Sequence, residues 1–138
     1  MPSFSIFDIA GAGMSAQSVR LNTTASNLAN AESLSGDPNA VYRAKHPVFT
    51  VAQAPNGATG PESASVQVAG IVENTAAPMK RYDPGHPLAD AEGFVYAPNV
   101  NTVEEMVDMI SASRSYQNDV EVMKTARDLM LATLRLGQ

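Results

Sequence analysis

Large apolar side chains recur every seven residues at both ends of the chain. Phe7, Met14, Leu21 and Leu28 form one line, and Met109, Tyr116, Met123 and Met130 form another. A strict 3.5-residue apolar period is the signature of helices that supercoil around partners. It predicts a mainly α chain whose long N- and C-terminal helices form a coiled-coil-like pair. The first helix is expected to begin at a capping box, Ser5-Ile6-Phe7-Asp8, and to run to about Asn30, a rod of roughly 40 Å. Gly11, Ser18 and Ala25 follow the large residues at the other seam position, where small side chains would let a second helix approach closely. A second capping box, Thr102-Val103-Glu104-Glu105, opens the C-terminal helix, which should run for about 35 residues, roughly 50 Å. Glu104, Glu105 and Asp108 load its positive dipole end, while Lys124, Arg127 and Arg135 lie toward the other end and Gly137 is placed to cap it. Met106, Val120 and Leu134 supply a second apolar line, interrupted by Ser113 and Arg127.

The polar positions of the first helix are as informative as the apolar ones. Between Ser5 and Ala31 the only charged residues are Asp8 and Arg20; the other polar positions include Ser15, Gln17, Ser18, Asn22, Thr23, Thr24, Ser26 and Asn27. A solvated helix usually carries charge on its outer face. Short neutral side chains cost less to bury, provided they find hydrogen bonds. This helix is therefore expected to be surrounded on most sides, by other chains. A neutral, alanine-rich surface helix is the alternative.

Between the helices the period changes. Gly-Asp-Pro at 36–38, Ala-Pro-Asn-Gly at 54–57, Gly-Pro at 60–61, His46-Pro47 and Asp83-Pro84-Gly85-His86-Pro87 read as turns or loops. Short extended segments are expected at Val48–Val51, Val66–Val72 and Phe94–Ala97, with a bulge at Gly70. The expected division is an N-terminal assembly helix over 1–33, an irregular β arm over 34–98 and a C-terminal assembly helix over 99–138.

Composition sharpens this picture. The apolar share of 44% is inflated by 21 alanines in 138 residues. Leu, Ile, Val and Phe together make up only about a fifth of the chain, near the level at which chains struggle to bury enough surface to fold alone. A partner that completes the core is expected. The net charge of −5 argues against nucleic acid. No apolar run is long enough for a membrane span, so direct membrane insertion is not expected. The N-terminus lacks the basic region of a secretory signal, and Asp8 interrupts its apolar run, so no cleaved signal is expected.

Candidate chemistry is sparse. With no cysteine there is no thiolate nucleophile or cysteine-based zinc site. His46, His86, Asp83 and Asp90 match no compact ligand spacing. Gly11-Ala12-Gly13 follows no strand and is not a dinucleotide fingerprint, and Ser111, Ser113 and Ser115 have no nearby histidine. Asp90 and Glu92 are a carboxylate pair of the ordinary solvated kind. No catalytic residue, cofactor or metal is expected, and the chain is read as a non-enzyme.

Two stretches carry a family likeness. Ser15-Ala-Gln-Ser-Val-Arg-Leu-Asn-Thr-Thr-Ala-Ser-Asn-Leu-Ala-Asn-Ala31 resembles the N-terminal signature of the bacterial flagellar rod, hook and filament-junction proteins. Tyr82-Asp-Pro-Gly-His-Pro-Leu-Ala-Asp-Ala-Glu-Gly-Phe-Val-Tyr-Ala-Pro-Asn-Val-Asn101, followed by Val103-Glu-Glu-Met-Val-Asp-Met-Ile-Ser-Ala-Ser-Arg-Ser-Tyr-Gln117, is similar to the proximal-rod members. Leu134-Arg-Leu-Gly137 and Tyr42-Arg-Ala-Lys45 fit the same pattern, whereas Ala40-Val41 stand where relatives often carry a proline before Tyr42. The resemblance implies a structural subunit of the flagellar basal body, in the rod that crosses the periplasm as a drive shaft. It implies export through the flagellar type III channel without a cleaved signal, and helical polymerisation with copies of itself and other rod proteins. The base of the rod would meet the export apparatus and membrane ring. On that reading Phe7, Met14, Leu21 and Leu28 pack against Met106, Met109, Tyr116, Val120, Met123, Met130 and Leu134, within and between subunits. The rival is an export-system accessory or chaperone-like helical binding protein.

Overall fold

The computed structural model describes residues 2–53 and 64–136. Two long helices enclose a small antiparallel β segment. In order, these are α1 (Pro2–Asn30), β1 (Lys45–Gln53), β2 (Ala64–Glu73), β3 (Met79–Tyr82), β4 (Phe94–Ala97) and α2 (Thr102–Leu136). At ~1.5 Å per residue, α1 is about 43 Å long and α2 about 52 Å. No helix among the described residues is long and apolar enough to cross a membrane.

The helix ends differ from the capping-box expectation in both cases. α1 starts at Pro2 rather than at Ser5. Proline suits the first helical position, where its fixed φ is already helical and no N–H is needed. α2 is capped by Asn101 rather than Thr102: Asn101 Oδ1 accepts from the Val103 N–H at 3.1 Å and the Glu104 N–H at 3.4 Å. Asparagine is among the best N-caps because its short side chain reaches exposed N–H groups of the first turn. Glu105 is thereby released from the capping role and turns inward. Glu104 remains in the first turn, as the dipole argument requires. Gly137 lies outside the described residues.

β1 and β2 form one antiparallel ribbon, β3 and β4 another. In the first, Val48 pairs with Gly70 and Phe49 with Val68, leaving Ala69 as the extra residue. The bulge anticipated at Gly70 is therefore centred on the adjacent Ala69. Val66 and Val68 are partly covered while Gln67 is exposed, the alternation of a half-buried strand. His46-Pro47 lies within β1 rather than in a turn. A two-stranded ribbon leaves alternate N–H groups pointing outward, so proline is tolerated there. The turn signals at 54–57 and 60–61 lie outside the described residues.

β3 has no counterpart in the sequence reading. Met-Lys-Arg-Tyr lacks an apolar alternation, and all four residues are exposed. Pairing with β4 creates it. Val95 of β4 is fully buried, and Tyr96 exchanges backbone hydrogen bonds with Ser35 at 2.8 and 2.9 Å. The arm beginning at 34 is thus fastened to the second ribbon before it enters the first.

Candidate assembly interface

The helices run antiparallel, with their contacts in consistent register. Arg20 Nη2 donates to Asp108 Oδ1 at 2.7 Å, and Asn27 Nδ2 donates to Glu105 Oε1 at 2.9 Å. A methyl group placed on Gly13 would lie 2.7 Å from Asp119 Oδ2, and Ile6 lines an open groove with Asn118, Glu121, Val122 and Thr125. On α2, Ala112 is fully buried between these contacts. Ile6, Gly13, Arg20 and Asn27 are spaced by seven, and each immediately precedes a residue of the large apolar line. One residue is about 100° around a helix. The chain's own seam is therefore small and polar, and the large apolar line lies beside it.

The expected interface residues fall accordingly. Phe7, Met14, Leu21, Leu28, Met109, Val120, Met123 and Met130 are partly covered. Met106, Tyr116 and Leu134 are exposed, at 46%, 36% and 63%. Because Ile6 sits against 118–125, the end of α2 extends past the start of α1, and Leu129, Leu131 and Leu136 there are also exposed. Val103, Val107 and Ile110 form a further exposed apolar line on the first turns of α2.

The C-terminal half of α1 is held by a buried polar junction. Asn27 is completely buried and makes four hydrogen bonds. Its Nδ2 donates to the Lys45 carbonyl and to Glu105 Oε1, both at 2.9 Å; its Oδ1 accepts from the Lys45 N–H at 2.8 Å and the Tyr42 hydroxyl at 2.9 Å. One side chain thereby ties α1 to the arm and to α2, with every donor and acceptor site of the amide used. Thr23 and Thr24 are also buried, and Thr23 Oγ1 bonds back to the Val19 and Arg20 carbonyls. Of the neutral polar residues of α1, Thr23, Thr24 and Asn27 are buried, Asn27 against the chain's own arm and α2, whereas Ser15 and Asn22 are exposed. Sequence periodicity contained no signal for the Asn27–Glu105 pairing, because the partners are 78 residues apart.

The remaining polar candidates are structural. Asp90 Oδ1 accepts from the Phe94 N–H at 2.8 Å and the Glu92 N–H at 2.9 Å, and Oδ2 from the Tyr96 hydroxyl at 3.2 Å. It organises a turn closed by Gly93, whose φ of +82° favours glycine. The Phe94 N–H is the main reason its carboxyl stays below the ordinary range. Stability from this turn is present above the unfolded carboxylate pKa and is lost as pH falls through the lower folded value. His86 Nδ1 accepts from the Leu88 N–H at 3.1 Å, and Asp83 faces Arg81 at 3.5 Å. Among the described residues no three His, Asp or Glu side chains are grouped to hold a metal.

Among the described residues, a long helix pair with a polar seam and partly covered or exposed apolar lines defines a class of mainly helical protein. Comparison with known proteins names the class. Residues 7–32 match the family model described as flagella basal body rod protein, and residues 91–136 match that of the flagellar basal body rod FlgEFG protein C-terminal region. The chain is 54% identical to the flagellar basal-body rod protein FlgC of Escherichia coli O6:H1 over 138 residues, covering all of both chains. It is 53% identical to that of Salmonella typhimurium over the same span, and 39% identical to that of Agrobacterium fabrum over 93% of this chain and 90% of the relative. The chain belongs to the FlgC family of flagellar basal-body rod proteins, and is a structural protein rather than an enzyme.

Proposed function

We propose that this rod protein polymerises helically in the proximal rod, with copies of itself and with other rod proteins, through the apolar lines its own fold leaves open. The observation that carries this reading is the one-residue offset between the two seven-residue lines. The intramolecular seam uses Gly13, Arg20 and Asn27, while Phe7, Met14, Leu21 and Leu28 flank it only partly covered. Exposed Met106, Tyr116 and Leu134 extend that surface along α2. Large apolar patches of this kind on a small chain mark interaction sites. The β arm would touch adjacent subunits, and the two terminal helices would be the assembly segments. Export through the flagellar type III channel, without a cleaved signal, fits a chain whose thin core is completed by neighbours. The base of the rod would adjoin the export apparatus and membrane ring.

Electron microscopy of basal bodies from a strain lacking the gene tests this reading. Rings without a rod, restored by complementation, are expected. Complete rods in the deletion strain would overturn it. Purified basal bodies should retain the chain, whereas a chaperone-like accessory would be lost from them.

A further inference from the structure

Glu105 is an acid placed where an acid is costly. It is only 4% exposed, and among the described residues no lysine or arginine forms an ion pair with it. Its partner is the neutral Asn27 amide. From α1, the nearest seam cation is Arg20, and its guanidinium is engaged by Asp108 at 2.7 Å. From the arm, Tyr42 and the Lys45 peptide face Asn27, and His46 adds a charge that favours the ionised acid. From α2 itself, Glu104 and Asp108 oppose ionisation. Burial dominates this balance and pushes the carboxyl above the usual glutamate range.

We propose that Glu105 is a proton-operated latch, which on taking up a proton tightens the docking of both α2 and the arm onto the Asn27 side chain. The coupling follows from the saturated amide. A protonated carboxyl removes the buried charge, while Oε1 can still accept from Asn27 Nδ2. The same Nδ2 donates its other hydrogen to the carbonyl of Lys45, the first residue of β1, and Oδ1 accepts from the Lys45 N–H. A change at Glu105 is thus passed to the entry of the first β ribbon through one side chain. The folded carboxyl binds its proton more tightly than the unfolded one. The contribution of the junction is therefore full below the unfolded pKa and declines as pH rises through the folded value. The latch rests on packing within one chain and stands apart from the rod assignment.

Hydrogen exchange at the Lys45 N–H reads it locally in the full-length protein. Protection, corrected for the intrinsic pH dependence of exchange, should rise several-fold from neutral pH into the carboxylate range. In Glu105→Gln, which keeps the acceptor without the charge, protection should be flat and no lower than the wild-type neutral value. Parallel profiles in the two proteins, or wild-type protection that falls on acidification, would overturn the proposal. A carbon NMR titration of the wild-type Glu105 carboxyl decides the matter even if the variant does not fold. A midpoint above the ordinary value of about 4.3 is expected, and one at or below it sinks the latch.

Discussion

α1 and α2 lie against each other, yet they are covered very differently. α1 is enclosed along one side by the β1–β2 ribbon and along another by α2, and it buries Ala10, Ala16, Thr23, Thr24 and Asn27. α2 is the longer helix and buries only Glu105 and Ala112. Its large apolar residues remain in contact with solvent, from Val103 near its start to Leu136 at its end. Between the helices the chain thus spends mostly small and polar side chains on its own packing and leaves the large ones only partly covered or exposed. Such a division suits a subunit whose single-chain fold is a fraction of its final packing. Short residues let two backbones approach, and hydrogen bonds fix one register. The area-dependent gain of about 25 cal/mol per Å² of apolar surface then remains available for neighbours.

The largest break in this comparison should come from Asn27→Ala. The substitution leaves the Lys45 N–H and carbonyl and the Glu105 carboxylate without their shared partner, while the Tyr42 hydroxyl keeps Ser26. At about 1–3 kcal/mol for each buried group left unsatisfied, the total should reach about 3 kcal/mol or more. Denaturant unfolding of the isolated chain measures it; a loss below about 1 kcal/mol would mean that water replaces the amide freely.

A paired substitution separates the two helices. Leu21→Asp, on the partly covered side of α1, should cost the single chain about 1–2 kcal/mol through lost apolar burial. Leu134→Asp, at a position 63% exposed, should change single-chain stability by less than about 0.5 kcal/mol. Both should prevent incorporation into basal bodies, because each puts a charge into the proposed interface. Normal swimming with either variant would remove that residue from the interface.

One substitution should give a gain. A methyl group added at Gly11 meets nothing within 4 Å in the single chain. Gly11→Ala should therefore stabilise α1 by up to about 1 kcal/mol through lower backbone entropy in the unfolded state. If a neighbouring helix rests on this face, the same substitution should slow rod formation despite the more stable monomer. Equal rates in a complementation time course would show that no helix packs closely there.

Much of this architecture is written in local order. The seven-residue apolar lines specify two long helices, and the end of α1 at Asn30 and the strand at Phe94–Ala97 match their sequence signals, because period and turn chemistry act over a few neighbouring residues. Burial with hydrogen bonds, expected of the short neutral residues of α1, is met at Thr23 and Asn27 but not at the exposed Ser15 and Asn22. Tertiary structure decided which residues meet. β3 exists because β4 pairs with it. Asn101 caps α2 in place of Thr102, and Glu105, free of that task, finds Asn27 across the fold. The rotation of the internal seam by one residue was equally out of reach of periodicity. Neighbouring heptad positions carry the same period, and only the fit of Gly13, Arg20 and Asn27 against Asp119, Asp108 and Glu105 chooses between them. Period is a property of one helix, whereas register is a property of two surfaces in contact.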